Sequence, residues 1–436
     1  MEYLAEELDE LLAVADAQLA TAYPGDPVWI RQPVHTAYVP AHQFDAGTPG
    51  TWGAKASAAL SEFASDTAGF AAAFGLSADL AGQVRPLVLA KLSTEPIEDL
   101  RIDFEDGYGT RSDDAEDAHA RAAARALRDL ARKGPVPPFS GIRCKSLEPG
   151  TRRRAIATID AFLRSLSEGQ AEPPSLLITL PKVTSAVQVT AMNVLCQRFE
   201  SAYGLTWPRQ ISFEIQVEMP QLIVGADGAA TIARCIQAGR PRLAGLHYGT
   251  YDYSAAVGVS AAQQSLDHPA ADYAKFVMQA AAAGTGVVLS DGSTNVLPAG
   301  DRAEVVGAWQ THARLVRRSL ERGFYQGWDL HPAQLASRYA ATFGFYREGL
   351  PGAAARLRAY AGRAASGREE PATGKALAGY VLRGLNCGAC TEAEVEELTG
   401  LGRAHLLTMA RRGPSVTPSR KSPSGPESGT FEMAEP

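Results

Sequence analysis

Cysteine is scarce in this sequence: five residues in 436, namely Cys144, Cys196, Cys235, Cys387 and Cys390. An odd, scattered set does not build a disulfide framework and suits a reducing compartment. No apolar run approaches the roughly 18 residues of a membrane span. The opening Met1-Glu-Tyr-Leu-Ala-Glu-Glu7 lacks the basic and apolar regions of a secretory signal. Basic residues are not in excess either: Lys plus Arg number 42 against 48 Asp plus Glu, a net charge of −6. That balance argues against nucleic acid or an anionic membrane surface as the main partner. No glycine-rich stretch reads as a Walker or dinucleotide fingerprint, and no repeat of solenoid period is present. These absences together predict a soluble, cytoplasmic protein.

What is present is a series of short alternating runs. Ile211-Ser-Phe-Glu-Ile-Gln-Val-Glu-Met-Pro220 places Phe213, Ile215 and Val217 on one face and Glu214, Gln216 and Glu218 on the other. A second run, Leu243-Ala-Gly-Leu-His-Tyr-Gly-Thr-Tyr-Asp252, also ends in a carboxylate. Further strand candidates are His35–Pro40, Asp99–Gly107, Gly141–Lys145, Ser175–Lys182, Gly286–Asp291 and Phe324–Pro332. Helical patterns separate them: 54–90 with a break at Pro86, 113–132, 150–167, 184–203, 227–239, 269–283 and 301–322.

Eight strands alternating with helices predict an α/β fold, a (β/α)8 TIM barrel. Residues 1–30 are expected to form an N-terminal helical extension, its amphipathic helix lying over 2–22. The barrel is expected over 31–345, a C-terminal helical region over 346–412 and a Pro-, Ser- and Gly-rich disordered tail over 413–436.

Barrel enzymes work at the end where the strands finish. The strand ends here carry Glu105, Asp106, Arg143, Lys182, Glu218, Asp252, Asp291 and His331. If the two opening runs are neighbours, Glu218 and Asp252 meet at that rim. Two carboxylates suit a hard divalent cation such as Mg2+, whose remaining ligands are substrate oxygens and water. A 2-oxo acid can chelate such an ion, which then stabilises the enolate left when a C–C bond beside the carbonyl breaks. Arg143 is a candidate fork for a substrate carboxylate. Deeper charges (Arg101, Asp103, Glu214) read as structural ion pairs, Arg101 with Asp103 or with Glu214.

The runs Asp103-Phe-Glu-Asp106, Ile142-Arg143, Leu180-Pro-Lys-Val183, Val217-Glu-Met-Pro220, Gly249-Thr-Tyr-Asp252 and His331-Pro-Ala-Gln334 occur in an order that resembles the HpcH/HpaI aldolase and citrate lyase β-subunit family. The resemblance covers about residues 33–340. His247–Gln263 and Ser290–Asn295 depart from the better-known members and mark a separate branch. The resemblance implies a Mg2+-dependent carbon–carbon lyase or aldolase acting on a 2-oxo acid or a 3-hydroxyacyl substrate, a coenzyme A thioester among the options. It implies Glu218 and Asp252 as metal ligands, and Arg143, with Lys182, Gly249 and Thr250, as substrate-binding residues. Glu105 and Asp106 would orient metal-bound water, and a homo-oligomer, a trimer or hexamer, is implied. The late Gly-x-Met-Ile-Asp segment of the malyl-thioester lyases is not found after His331, which leaves Asp291 or His331 as candidates for the proton step.

Two other readings stay open. Lys182 could be a Schiff-base nucleophile, or the barrel could be a catalytically silent scaffold. His247 is as consistent with packing as with chemistry. Arg152-Arg-Arg154 could receive a phosphate but reads more simply as a solvated helix start. Cys387 and Cys390 have two-residue spacing with no second pair to complete a zinc site.

Overall fold

The computed structural model describes residues 2–25, 30–133, 136–168, 176–205, 210–364 and 371–411. The tail expected over 413–436 lies outside them. In chain order the elements are α1 (Glu2–Ala22), β1 (His35–Pro40), α2 (Thr48–Phe63), α3 (Thr67–Phe74), α4 (Ala78–Thr94), β2 (Asp99–Asp103), α5 (Asp113–Lys133), β3 (Phe139–Arg143), α6 (Arg152–Ser167), β4 (Leu176–Leu180), α7 (Ala186–Tyr203) and β5 (Ser212–Val217). There follow α8 (Pro220–Ile223), α9 (Thr231–Ala238), β6 (Leu243–Tyr248), α10 (Thr250–Ala256), α11 (Pro269–Ala282), β7 (Val288–Ser290), α12 (Arg302–Glu321), β8 (Gly327–Asp329), α13 (Gln334–Ala364), α14 (Pro371–Cys387), α15 (Glu392–Thr399) and α16 (Arg403–Arg411).

The strands pair in parallel in the order β7-β6-β5-β4-β3-β2-β1-β8. A bridge between Ser290 and Gln326, with the Asp291 N–H donating to the Gln326 carbonyl at 2.8 Å, brings β7 against β8. The expected (β/α)8 TIM barrel is therefore the observed fold. Outward-facing Leu100, Ile102, Ile142, Ile178, Phe213, Ile215 and Leu246 are at most 1% exposed and seat the helical layer.

Local sequence explains most boundaries, and the departures are instructive. Pro86 does not end a helix but lies inside α4; the residue four back, whose carbonyl its ring would crowd, is Gly82. The breaks fall instead where caps are available. The Asp66 carboxylate accepts from Gly69 N–H at α3, Gly75 closes that helix with φ +67°, and Ser77 caps α4. Asp252 is not on a strand: β6 ends at Tyr248 and Asp252 sits in the first turn of α10. Helix α13 runs unbroken through residue 345, from the mouth of the barrel to Ala364.

Inside the lumen, a deep layer forms one charged network. The Arg101 guanidinium meets Asp99 at 2.8 Å and Glu214 at 3.2 Å. Glu214 also accepts from Thr179 Oγ1 at 2.5 Å and lies 2.9 Å from His247 Nε2. Gly141 makes this possible: a Cβ there would stand 2.5 Å from Arg101 Nη1. Of the two pairings expected for Arg101, that with Glu214 is observed and that with Asp103 is not, Asp99 taking its place. His247 belongs to this floor rather than to the rim.

Candidate active site

Above that layer the strand ends converge. Asp103, the last residue of β2, faces Arg143, the last residue of β3, because the register pairs the two positions. Arg143 Nε and Nη2 donate to the two Asp103 oxygens at 2.6 and 2.7 Å. Only Nη1 remains directed elsewhere, 3.1 Å from Glu105 Oε2. Asp103 is itself held by the Glu105 and Gly107 N–H groups, which donate to it at 2.9 and 2.8 Å. The Arg143 guanidinium lies 4.9 Å from the Tyr38 ring centroid, and Tyr38 packs on Trp328. This bidentate pair fixes the arginine in one rotamer.

Lys182 follows β4 with φ +54°, a left-handed conformation uncommon outside glycine. That backbone turn directs its N–H to donate to Glu218 Oε1 at 2.6 Å. Its side chain then enters a ring of carboxylates. Lys182 Nζ is 2.7 Å from Asp252 Oδ2, 3.5 Å from Glu218, 3.6 Å from Asp106 and 3.7 Å from Glu105. Glu218 is 1% exposed and follows β5 directly. Gly249 allows the neighbouring chain to pass against it, since a Cβ there would lie 2.5 Å from Glu218 Cβ and 2.9 Å from Oε2. Thr250 is buried and donates from Oγ1 to the Ser293 carbonyl at 3.1 Å.

These groups line a cavity of about 280 Å3, with Tyr38, Asp103, Asp106, Arg143, Glu218, Gly249, Thr250, Asp252, Ser293 and Trp328 in its wall. Its electrostatics are lopsided: Asp103, Glu105, Asp106, Glu218 and Asp252 face two cations, Arg143 and Lys182. Burial pushes the Glu105 carboxyl up to about 8, against the pull of Arg143. Burial likewise raises Glu218 to about 7, with Lys182 opposing and Asp252 adding to the rise. Burial alone would weaken the Lys182 ammonium, yet Glu218, Glu105 and Asp252 outweigh it and hold the charge.

Among the described residues no group of three or more His, Cys, Asp or Glu side chains is set as a closed metal cage. The donor set nevertheless fits an open Mg2+ site, which needs only one or two protein carboxylates. Glu218 and Asp252 both reach one point, and the Lys182 ammonium stands at that point as a monovalent stand-in.

The structure thus assembles Arg143, Glu105, Asp106, Lys182, Gly249, Thr250, Glu218 and Asp252, and leaves two expected residues apart. Asp291 points away from the lumen: its carboxylate is 3.0 Å from Lys275 of α11 and accepts from Ser319 of α12 at 2.6 Å. Strand parity is the reason, because Ser290 takes the inward position and Asp291 the outward one. It is 2% exposed and serves as a strut between barrel and helices. His331 lines a separate cavity beside the site, with Tyr38, Pro40, Lys55 and Leu330. Its Nδ1 accepts from Ala333 N–H at 3.2 Å, and burial with Lys55 nearby lowers its pKa.

Arg154 ties α6 to Asp117, Glu116 and Asp113 of α5, so the arginine run has a structural use. Cys387 and Cys390 are buried, and burial raises both thiols. Sequence reasoning missed Asp103 as the clamp on Arg143, and Tyr38 and Trp328 as lining. Trp328 Nε1 is buried without a hydrogen-bond partner in the described structure, and aromatic residues near the ends of two adjacent strands were the available signal.

The family model described as a domain of unknown function, DUF6986, matches residues 12–413. The chain belongs to the DUF6986 family. No curated protein matches the sequence. Among solved structures, a citrate lyase from Burkholderia xenovorans LB400 aligns with a TM-score of 0.55 at 19% identity, over 72% of this chain and 91% of that one. That likeness to a DUF6986 member is one of fold. Looser matches are a malate synthase from Haloferax volcanii in a magnesium/glyoxylate complex (TM-score 0.47, 12% identity, 87% and 98% covered) and an HpcH/HpaI aldolase/citrate lyase family protein from Burkholderia cenocepacia J2315 (TM-score 0.37, 16% identity, 70% and 90% covered). No helix among the described residues is long and apolar enough to cross a membrane.

Proposed function

We propose that this chain is a Mg2+-dependent carbon–carbon lyase or aldolase related to the HpcH/HpaI and citrate lyase β group, acting on a 2-oxo acid or a 3-hydroxyacyl substrate. The observation that carries the reading is the convergence of Glu218 and Asp252, with Glu105 and Asp106 beside them, around one cation at the strand ends. Bound there, Mg2+ would supply stabilisation of enolate charge next to the carbonyl whose C–C bond breaks.

The chain's own groups divide the remaining work. Arg143 has Nη1 as the one guanidinium nitrogen not bonded to Asp103, and it would orient the substrate carboxylate. Asp103 holds that orientation. Tyr38 and Trp328 give the pocket an aromatic wall, and the Trp328 Nε1 donor has no partner among the described residues. Glu105, whose carboxyl burial raises to about 8 without a divalent ion, is the chain's own candidate for holding a proton near neutrality beside the pocket. The Schiff-base alternative is disfavoured by the same ring of carboxylates. A nucleophilic lysine needs a depressed pKa, whereas Lys182 is held charged.

The reading is tested by calorimetric titration of Mg2+ or Mn2+ into the wild-type chain and into Glu218→Gln and Asp252→Asn, together with an assay of C–C cleavage across pyruvate-, oxaloacetate- and glyoxylate-derived substrates. Binding in the wild type and its loss in both variants is expected. Unchanged metal affinity in both variants would overturn the assignment. Turnover without any divalent ion, with borohydride trapping at Lys182, would favour the Schiff base. A cavity of about 280 Å3 supports a small-molecule substrate.

A further inference from the structure

Helix α1 stands off the body of the molecule. Every residue from Tyr3 to Thr21 is exposed, and Tyr3, Leu4, Leu8, Leu11, Leu12, Val14 and Leu19 are 47–75% exposed. At ~100° per residue, Leu4, Leu8, Leu11, Leu12 and Leu19 fall within an arc of about 120°. Glu6, Glu7, Asp9, Glu10 and Asp16, with Tyr3 and Val14, occupy the rest, with no Lys or Arg in the helix. Only the base is fixed. Arg240 donates to the Thr21 and Ala22 carbonyls at 2.7 and 2.6 Å and to the Thr285 carbonyl at 3.0 Å. Gly25 N–H donates to the Gly284 carbonyl at 2.9 Å. An isolated helix with a bare leucine stripe is marginal in water without a partner.

The body offers a matching surface beside that base. Helix α11, which ends two residues before Gly284, exposes Tyr273 and Phe276 at 54% and 55%. Asp272 next to them is shared by Arg318 and Arg322, and the Arg322 guanidinium lies 5.9 Å from the Phe276 ring centroid. The patch is therefore aromatic with a cationic edge, and α1 is apolar with acidic edges.

We propose that α1 of one copy covers the α11 face, Tyr273 and Phe276, of a second copy, and reciprocally, about a two-fold axis near the base of α1. Charge selects this occupant: two α1 helices laid stripe to stripe would bring the flanking Glu7, Asp9 and Asp16 of both copies together, whereas the α11 edge supplies arginines. Area agrees. The five stripe leucines together with Tyr273 and Phe276 of the same copy bury on the order of 700–800 Å2 per partner when covered, the amount a stable specific interface needs. The reciprocal arrangement is isologous and closes on itself.

Light scattering on the full-length chain at micromolar concentration tests this. The wild type is expected at twice the 46.2 kDa chain mass, and Leu8→Glu with Leu12→Glu, or Phe276→Glu alone, at the single mass with unchanged circular dichroism. Mixing a Leu11→Cys chain with a Tyr273→Cys chain under mild oxidation should give a cross-linked pair that neither forms alone, the five native cysteines being buried. A monomeric wild type overturns the proposal. So does a Phe276→Glu chain that still pairs, which would mean α1 packing on α1. Intrachain cross-linking in a chain carrying both cysteines at high dilution, which would mean fold-back, overturns it equally.

Discussion

The lumen of this barrel holds two charged layers made of the same residue types, one below the other. In the deep layer Arg101 lies between Asp99 and Glu214, with His247 against Glu214. Burial alone would raise Glu214, but Arg101 and His247 overcome it and hold the carboxyl down at about 2; its neighbour Asp99, desolvated beside it, moves up. At the rim, five carboxylates meet two cations, and Glu105 and Glu218 rise to about 8 and 7. A layer whose charges are matched is scaffold. A layer left with excess negative charge, where a substrate could reach it, is where a cation belongs.

The most severe way to break that contrast is Arg101→Leu. It leaves Asp99 and Glu214 buried without their cation and is expected to cost about 3–5 kcal/mol of stability, measured by urea unfolding. A rim substitution of the same kind should not. Glu218→Gln or Asp252→Asn is expected to leave unfolding within about 1 kcal/mol of wild type while lowering cleavage activity on the order of 10²–10³-fold. Equal destabilisation by the Arg101 and Glu218 changes would erase the distinction. Asp103→Asn should fall between in stability, costing about 1–3 kcal/mol because buried Arg143 loses an anionic partner but keeps Glu105, and should reduce kcat/KM roughly 10–100-fold.

Acid and base separate the layers by sign. Glu214 binds fewer protons folded than unfolded, so its contribution is present above its ordinary value near 4.5 and is lost as pH falls toward 2. Glu105 and Glu218 bind more protons folded, so their contribution is present below about 4.5 and is lost as pH rises through 7 and 8. Without divalent ions, melting temperature should therefore decline between pH 5 and 8, and Mg2+ should raise it more at pH 8 than at pH 5. A magnesium effect independent of pH would remove the linkage. The smallest effect is expected from Trp328→Phe, which deletes one unpartnered donor; a change in KM of about tenfold or less, with kcat kept, would fit substrate contact.

Alternation was enough to read the barrel, and the rim carboxylates with it, because period two and strand order are local properties of the chain. Partner choice was less legible. Asp103 meets Arg143 rather than Arg101 because the β2–β3 register sets them side by side, and register is decided across strands. Asp291 could have been placed correctly: inward Ser290 fixes its neighbour as outward. Pro86 misled because a proline inside a helix removes one N–H donor without having to end it, and the breaks follow the caps at Asp66 and Ser77 instead.

The left-handed turn at Lys182 has one more consequence. Backbone N–H and side-chain ammonium of a single residue reach the same Glu218 carboxylate, so the pocket carries its own tethered monovalent cation. A tethered group competes at an effective concentration that free sodium or potassium does not match. On the proposed Mg2+ reading the turn sets a threshold: an entering ion has to gain more from these carboxylates than the tethered ammonium already does.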